Sequence, residues 1–442
     1  MKLIVIGGVA AGMSCAAKLR RMDSSAEITV YEKGKHLSYG ACGLPYYISG
    51  VSADRDKLIA RTREEYERNG INCFLQHEVL KVIPGDKSVL VKDHLNGNVF
   101  IDKYDKLMIA VGAGPVIPPI EGRDLKGVFT LKSLDDGDII KNAVDENVKD
   151  IVVAGGGYIG IEMAEAFRQM GRNVTVIEMA DRILTPFDEE IASLAIEELL
   201  RNHVILKLGE RLERIDGRER VERIVTSKGE YKADLVLMAL GIRPATEFLK
   251  GSGIHMTKNG AIIVDREMRT NLDDIYAAGD CALVYHLLKE ENAYIPLGTV
   301  ANKCGRIAGE NVGGKHRKYI GTVGSAAIKV FDIEMARTGL SEKEAKELSI
   351  DYDKVVVDTQ DLPPYYPEPS PIRFKLIYEK GTKRILGAQG AGKKGVVLRI
   401  DIFAAAITGG ATTDELGMTD LCYAPPFAGV WDAVNIVCNA AK

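Results

Sequence analysis

The sequence predicts an α/β protein built around two Rossmann-like dinucleotide-binding units in tandem. Three observations carry this. A glycine-rich turn, Gly7-Gly8-Val9-Ala10-Ala11-Gly12, lies between an apolar strand and a helical pattern near the start. A second turn, Gly155-Gly156-Gly157-Tyr158-Ile159-Gly160, repeats that context near the middle. A length of 442 residues exceeds what one hydrophobic core usually holds and divides the chain into two or three domains.

In the first unit, Leu3–Ile6 reads as a buried strand and Ala10–Met22 as a helix. The fingerprint G-x-G-x-x-G would need glycine at position 9, where this chain has Val9. The context compensates, because a second strand, "EITVYEK", delivers Glu32 20 residues past Gly12. A carboxylate at that spacing binds ribose hydroxyls while the pyrophosphate rests on the helix N-terminus. The second unit fits the fingerprint without departure: strand Ile151–Ala154, Gly155, Gly157 and Gly160, helix Ile159–Met170, then a strand ending at Glu178. Glu178 accepts hydrogen bonds from a ribose 2′-hydroxyl and repels a 2′-phosphate, which favours NADH over NADPH, with Arg182 opposing that preference. Two further strands break at glycine, "DKLMIAVGAGP" at Gly112 and Gly114 and "ADLVLMALGIRP" at Gly241. A last one, Ile275–Ala278, is followed by Gly279 and Asp280. A carboxylate there, among strand-end amides, suits a flavin's ribityl or pyrophosphate region, although a Gly-Asp pair alone is more often an Asx turn.

Bulk composition excludes several classes. Lys and Arg total 58 against 62 Asp and Glu, and the net charge of −4 gives no reason to expect nucleic acid or an anionic membrane as partner. No apolar run of about 18 residues reads as a membrane helix. The N-terminus runs straight into a strand without a basic or cleavable leader. The seven cysteines show neither C-x-x-C spacing nor an even disulfide framework, so a reducing cytoplasm is expected. The seven histidines form no ligand-like cluster, and no metal is expected.

With "GGVAAG" and Glu32, "AVGAGP", "GGGYIG" and Glu178, "LGIRP" and "TNLDDIYAAGDC", the whole chain resembles the glutathione-reductase-like pyridine nucleotide–disulfide oxidoreductases. The resemblance implies an FAD domain at 1–112 and 243–325, an inserted NAD(P)H domain at 113–242, and a C-terminal α/β domain at 326–442 that makes homodimers. It implies FAD contacts from Gly7, Gly8, Ala10, Ala11, Gly12, Glu32, Ala110, Gly112 and Asp280. For NAD(P)H it implies Gly155, Gly157, Tyr158, Ile159, Gly160, Glu178 and Gly241.

The discriminating stretch is "SYGACGLPYY", residues 38–47. Family members acting on glutathione or lipoamide use C-x-x-x-x-C, but the residue five beyond Cys42 is Tyr47. That leaves the single-cysteine branch: coenzyme A–disulfide reductases, persulfide or polysulfide reductases, NADH oxidases and NADH peroxidases. "CGLPYY" resembles the first of these most. Peroxidases and many oxidases keep a histidine in the first glycine loop, where this chain has Ala10. Persulfide reductases commonly carry an added sulfurtransferase domain, for which a chain ending at Lys442 leaves no room.

The C-terminal "YAPPF…D…N" resembles the same family and places Tyr423 as an active-site tyrosine, with Tyr365 preferred over Tyr366 as a second, both acting across the dimer. Cys42 is then the nucleophile, its thiol acidified by a helix N-terminus, and FAD, NAD(P)H and coenzyme A are the expected ligands. Arg20, Arg21, Arg61 and Arg63 are candidates for coenzyme A phosphates, since guanidinium suits phosphate geometry. A solvated helix face explains those charges equally well. Ser38 and Asn302 are candidate pantetheine contacts by family analogy. Cys15 and Cys304 read as core filling, with a place near the flavin as the alternative. The competing functions are a coenzyme A persulfide or polysulfide reductase, an NADH oxidase cycling Cys42 through a sulfenate, and a flavoprotein sensor with little turnover.

Overall fold

The first strand, β1 (Lys2–Ile6), is four-fifths buried and turns within three residues into α1 (Ala10–Met22). The computed structural model describes residues 1–442. After α1 come β2 (Glu27–Glu32), the short α2 (Leu44–Ser49), β3 (Ile71–Leu75) and β4 (Lys106–Ile109). Helix α3 (Leu134–Ala143) leads into the second unit, β5 (Asp150–Ala154), α4 (Tyr158–Gln169), β6 (Asn173–Glu178), α5 (Glu189–Arg201), β7 (Ile205–Leu208) and β8 (Leu235–Met238). The chain then returns to the first unit with β9 (Ile275–Ala277) and α6 (Gly298–Val312). The last third holds β10 (Ala326–Val330), β11 (Ile333–Gly339), β12 (Tyr352–Gln360), β13 (Pro371–Glu379), β14 (Ile385–Gly392), α7 (Val396–Gly409) and α8 (Ala433–Asn439).

The three largest sheets, of five strands each, are two parallel ones and one antiparallel one. The first has strand order β9-β4-β1-β2-β3 and the second β7-β6-β5-β8, with Val128–Phe129 added at the edge. Their central strands are continuous apolar runs, as expected where helices cover both faces. The third sheet, β10-β11-β14-β13-β12, is antiparallel throughout, and α7 lays Ile400, Phe403 and Ile407 on it. No helix is long and apolar enough to cross a membrane.

Where a loop break was expected around Gly114, Ala113–Pro115 is instead a strand pairing antiparallel with Ile242–Pro244. The chain thus enters and leaves the second unit through one two-stranded ribbon. A buried charge cluster ties that unit to the third sheet. Lys375 of β13 lies 3.2 Å from Asp188, 2.8 Å from Glu190 and 2.8 Å from Glu342. Three carboxylates around one ammonium supply the pairing that a buried cation requires.

Both nucleotide units turn on the same backbone crossing. Gly7 (φ +100°) would place a Cβ 2.3 Å from the Ala110 carbonyl oxygen, and Gly155 (φ +114°) one 2.2 Å from that of Ala239. Val9 sits at φ −103°, outside the left-handed region, so this position of the fingerprint does not call for glycine through a positive φ. In urea unfolding, Gly7→Ala and Gly155→Ala are each expected to destabilise by about 1–3 kcal/mol, and Val9→Gly by under about 1 kcal/mol. Equal effects at positions 7 and 9 would contradict the assignment of strain to the crossing.

Candidate active site

Cys42 sits in a single 3₁₀ turn, Ala41–Gly43, that runs directly into α2. Pro45 in the first turn of α2 favours initiation, and Gly50, left-handed at φ +87°, ends it. Backbone bonds from Gly40 to Leu58 and from Ala60 to Ser38 brace the approach to the turn. Leu44, Tyr47 and Ile48 of α2 pack into the apolar core of the second unit. The Tyr47 hydroxyl donates to Asp138 (2.8 Å), and Lys141 donates to the Tyr47 carbonyl (2.8 Å) while lying 3.9 Å from its ring centroid. A thiol encoded in the first unit is therefore held rigidly against the second.

The electrostatics of this thiol overturn one expectation. Cys42 is an exposed residue, yet its pKa is raised, first by burial of the sulfur's inner side and then by the carboxylates of Glu162 and Asp280. Its own backbone N–H and Lys132 act in the acidifying direction. The helix N-terminus invoked from sequence is outweighed by apolar packing and two anions. Glu162, on α4, is itself held up at about 7 by burial and by Glu165. Neither Glu162 nor Lys132 is signalled by the sequence, since each lies about 90 residues or more from Cys42 and in no motif. The exposed turn residues Gly157 and Ile159 lie on the same helix start.

The two glycine turns are gripped alike. The Gly8 N–H donates to Glu32 Oε2 (2.7 Å) and the Gly156 N–H to Glu178 Oε2 (2.6 Å), while Gly34 and Ala180 donate to the other oxygens (2.6 and 2.8 Å). Each carboxylate stands beside its cradle at the place the ribose rule requires. Ala10, Ala11, Gly12 and Ala110 line the first turn, and Gly160 and Gly241 (φ +106°) the second. Asp280 follows β9, its carboxyl raised by burial and opposed by Lys132, whose ammonium lies 3.9 Å from where a Cβ on Gly112 would stand. Tyr158 Oη and Arg182 Nε, at the second turn, are buried without a hydrogen-bond partner. Unmet polar atoms of this kind are satisfied by a bound ligand or water, so the second cradle fits a bound dinucleotide.

Of the arginines expected to meet phosphate, Arg20 is otherwise engaged. Its guanidinium donates to the carbonyls of Asp23, Ser24, Ala26 and Gly70 and fastens the end of α1 to the start of β3. Backbone carbonyls can occupy both terminal nitrogens of a guanidinium in place of an anion, which charge patterning in sequence does not reveal. Arg21 and Arg61 are exposed, and Arg63 pairs with Glu67 (2.7 Å). Arg61 lies over the ring of Tyr66, whose hydroxyl is 2.6 Å from Ser38 Oγ. Asn302 on α6 accepts from Ser14 (2.8 Å). Cys15 and Cys304 are buried, their thiols pushed up to about 12 by burial, and serve as core. Tyr365 meets Tyr423 hydroxyl to hydroxyl at 3.0 Å, and this shared bond raises the Tyr365 pKa. Both tyrosines are open, Tyr365 70% and Tyr423 45% exposed, and Leu398 of α7 and Met418, Phe427, Val430 and Trp431 ahead of α8 are exposed as well.

Comparison with known proteins places this geometry. Residues 1–305 match the pyridine nucleotide-disulphide oxidoreductase family and residues 325–434 its dimerisation domain. The chain belongs to this family. An NAD(P)H coenzyme A polysulfide/persulfide reductase of Pyrococcus horikoshii is 39% identical over 100% of this chain and 98% of its own length. An NADH oxidase of Enterococcus faecalis is 33% identical over 100% and 99%, and a coenzyme A disulfide reductase of Staphylococcus aureus 31% over the full length of both. Among solved structures, reduced Bacillus anthracis CoADR-RHD superposes with a TM-score of 0.97 at 36% identity, over 100% of this chain and 80% of that one. As a family member, the chain is an NAD(P)H-linked flavin oxidoreductase with a dimerisation domain. An added domain does not mark every persulfide reductase, because the Pyrococcus reductase is matched over 98% of its own length.

The carboxylate at Glu162 makes the thiol's titration testable. Above pH about 7 Glu162 is charged and disfavours the Cys42 thiolate. In cofactor-stripped protein, Glu162→Gln is expected to move the midpoint of Cys42 alkylation by iodoacetamide to lower pH. A midpoint that stays or rises contradicts the assignment.

Proposed function

We propose that the chain works as a homodimer that reduces coenzyme A disulfide with NAD(P)H, through Cys42 as the single redox thiol. The observation that carries this is the isolation of Cys42. It forms no disulfide, and every other cysteine except Cys422 is buried. A thiol beside two nucleotide cradles with no resolving partner needs its second sulfur from the substrate. The similarity to the Staphylococcus enzyme supports coenzyme A as the carrier of that sulfur.

In this reading residues 1–112 and 243–325 hold FAD, 113–242 hold NAD(P)H, and 326–442 pair the subunits. Gly7, Gly8, Ala10, Ala11, Gly12, Glu32, Ala110, Gly112 and Asp280 surround FAD. Gly155, Gly157, Tyr158, Ile159, Gly160, Glu178 and Gly241 receive the coenzyme, and Glu178 favours NADH. When bound, FAD accepts hydride from NAD(P)H and supplies the electron pair that cleaves a disulfide.

The Cys42 thiolate attacks one sulfur of coenzyme A disulfide, forming a Cys42–coenzyme A mixed disulfide and expelling one coenzyme A thiolate. That thiolate takes a proton and leaves. Two electrons and a second proton then cleave the mixed disulfide, returning the Cys42 thiolate and a second coenzyme A thiol. One NADH and one proton are thus consumed for each two thiols made. Because the pKa of Cys42 is raised, the thiol must be relieved of a proton before it attacks. The Tyr365–Tyr423 hydroxyl pair donates to the departing thiolate at the thiol of the other subunit. Arg21, Arg61 and Arg63 meet the coenzyme A phosphates, and Ser38 and Asn302 the pantetheine arm.

A second reading is reduction of coenzyme A persulfide or polysulfide, favoured by the full-length similarity to the Pyrococcus reductase. The same thiol attacks the same class of sulfur–sulfur bond in either case.

Intact-mass analysis under non-reducing denaturation tests the shared core of both. A reductant-labile addition of one coenzyme A is expected, absent from Cys42→Ser. A bare thiol, or an oxygen-sized addition at Cys42, would overturn the mixed-disulfide reading in favour of an oxidase. Steady-state turnover with coenzyme A disulfide, polysulfide and oxygen then ranks the substrates.

A further inference from the structure

The tyrosine pair poses a mechanical problem. Tyr365 lies in the loop joining β12 to β13, and Tyr423 in the irregular segment between Met418 and α8. Neither stands on a helix or strand, and both are largely exposed, yet their hydroxyls meet at 3.0 Å. Two such segments keep register only if something buried joins them.

One guanidinium does so. Arg399, in the first turn of α7, donates through Nε to both carboxylate oxygens of Asp432 (3.1 and 3.0 Å), and its Nη2 lies 2.9 Å from Oδ2 in the same ion pair. The same Nη2 reaches the carbonyl of Asp361, where the Tyr365 loop begins (3.1 Å), and at greater length that of Phe427, in the Tyr423 segment (3.4 Å). Nη1 donates to the Gly395 carbonyl (3.0 Å). Each partner then fastens its own segment. The Asp361 carboxylate accepts from the Ser370 N–H (2.6 Å) and closes the Tyr365 loop at its far end. Asp432 caps α8 through the Val434 N–H (2.9 Å). Asn435, one turn on, donates to the carbonyls of Leu416 and Thr419 (both 3.1 Å), just ahead of Tyr423.

We propose that the buried Arg399–Asp432 pair is a positioning device for the Tyr365–Tyr423 hydroxyls, setting the geometry in which they meet the leaving thiolate. This rests on the reading of the two tyrosines as substrate-side groups. Arg399 touches no substrate and acts through the backbone of both segments. Its planar fork suits that role, since a lysine keeps the charge but gathers at most three donors at one point, where the guanidinium spreads over four groups. The fold does not depend on it to the same degree, because α7 is anchored by Ile400, Phe403 and Ile407.

The test uses dimeric holoenzyme of wild type, Arg399→Lys, Asp432→Asn, Tyr365→Phe, Tyr423→Phe and the Arg399→Lys/Tyr423→Phe double variant. Three quantities are read: NADH turnover with coenzyme A disulfide, NADH oxidation by ferricyanide, which draws electrons without the tyrosines, and the melting transition. Arg399→Lys is expected to lower kcat/KM for coenzyme A disulfide roughly 10- to 100-fold, to leave ferricyanide turnover within about twofold, and to add little to the loss in Tyr423→Phe. Asp432→Asn should reproduce the pattern more mildly. Losses that multiply in the double variant, or that strike ferricyanide turnover and melting equally in both Arg399→Lys and Asp432→Asn, would overturn the proposal and leave a structural ion pair. If Tyr423→Phe and Tyr365→Phe both match wild type on coenzyme A disulfide, the reading of the tyrosines falls, and the positioning role with it.

Discussion

Two backbone crossings organise the molecule: Gly7 passing against the Ala110 carbonyl and Gly155 against that of Ala239. Each occurs where a strand of a parallel sheet must give way to a helix within three residues while a neighbouring strand ends alongside. The crossing forces a left-handed residue, and the next N–H is then captured by an acid at the end of the adjacent strand, Glu32 or Glu178. The outcome is a helix start aimed across the sheet's carboxyl edge with a carboxylate fixed beside it. Once this is set twice, the thiol turn, the Asp280 strand end and Glu162 are brought towards the space between the two cradles, because each lies at a strand end or helix start on those same edges.

Much of this was legible in the sequence because it is local. A glycine turn, a following helix and an acid about 20 residues on depend on spacing within one βαβ unit, and spacing survives in the sequence. The departure at Val9 looked like damage only because a pattern treats its three glycines as equivalent; the backbone shows that this one needs no left-handed conformation. Cys42 was legible from its flanks, but its neighbours were not. Glu162 and Lys132 reach it by tertiary folding, as does the burial that leads the causes of its raised pKa. Arg20 shows the opposite failure, a charge read as waiting for a ligand when four carbonyls already occupy it. Arg399 gave no signal, since a lone arginine within an apolar helical run does not disclose which loops it will join.

The three units are interlocked rather than merely adjacent. Helix α2 leaves the first unit to bury Leu44, Tyr47 and Ile48 in the second, in a core that also takes in Ile328, Val330 and Met335 from the third sheet. Lys375 and its carboxylates add a polar tie between the second and third units. Each unit's redox or recognition group is thereby referenced to a neighbour's frame. That arrangement suits chemistry in which electrons cross from one nucleotide site to a sulfur held between domains, since distances there tolerate little play.

The order of strands in the first sheet also has a temporal meaning. Its edge strand β9, paired along β4, is encoded after every strand of the second sheet. On the ribosome, β4 therefore waits with one flank unpaired while the chain between it and β9 is made, which at 5–20 residues per second is on the order of ten seconds. The inserted unit, contiguous in the message, is free to close on itself during that interval, whereas the unit that begins the protein finishes after it. An open apolar strand flank is a template for the wrong partner. Substitutions along β4 and β9 will be felt first in the yield of nascent chains that reach the native state, ahead of any change in the stability of those that do.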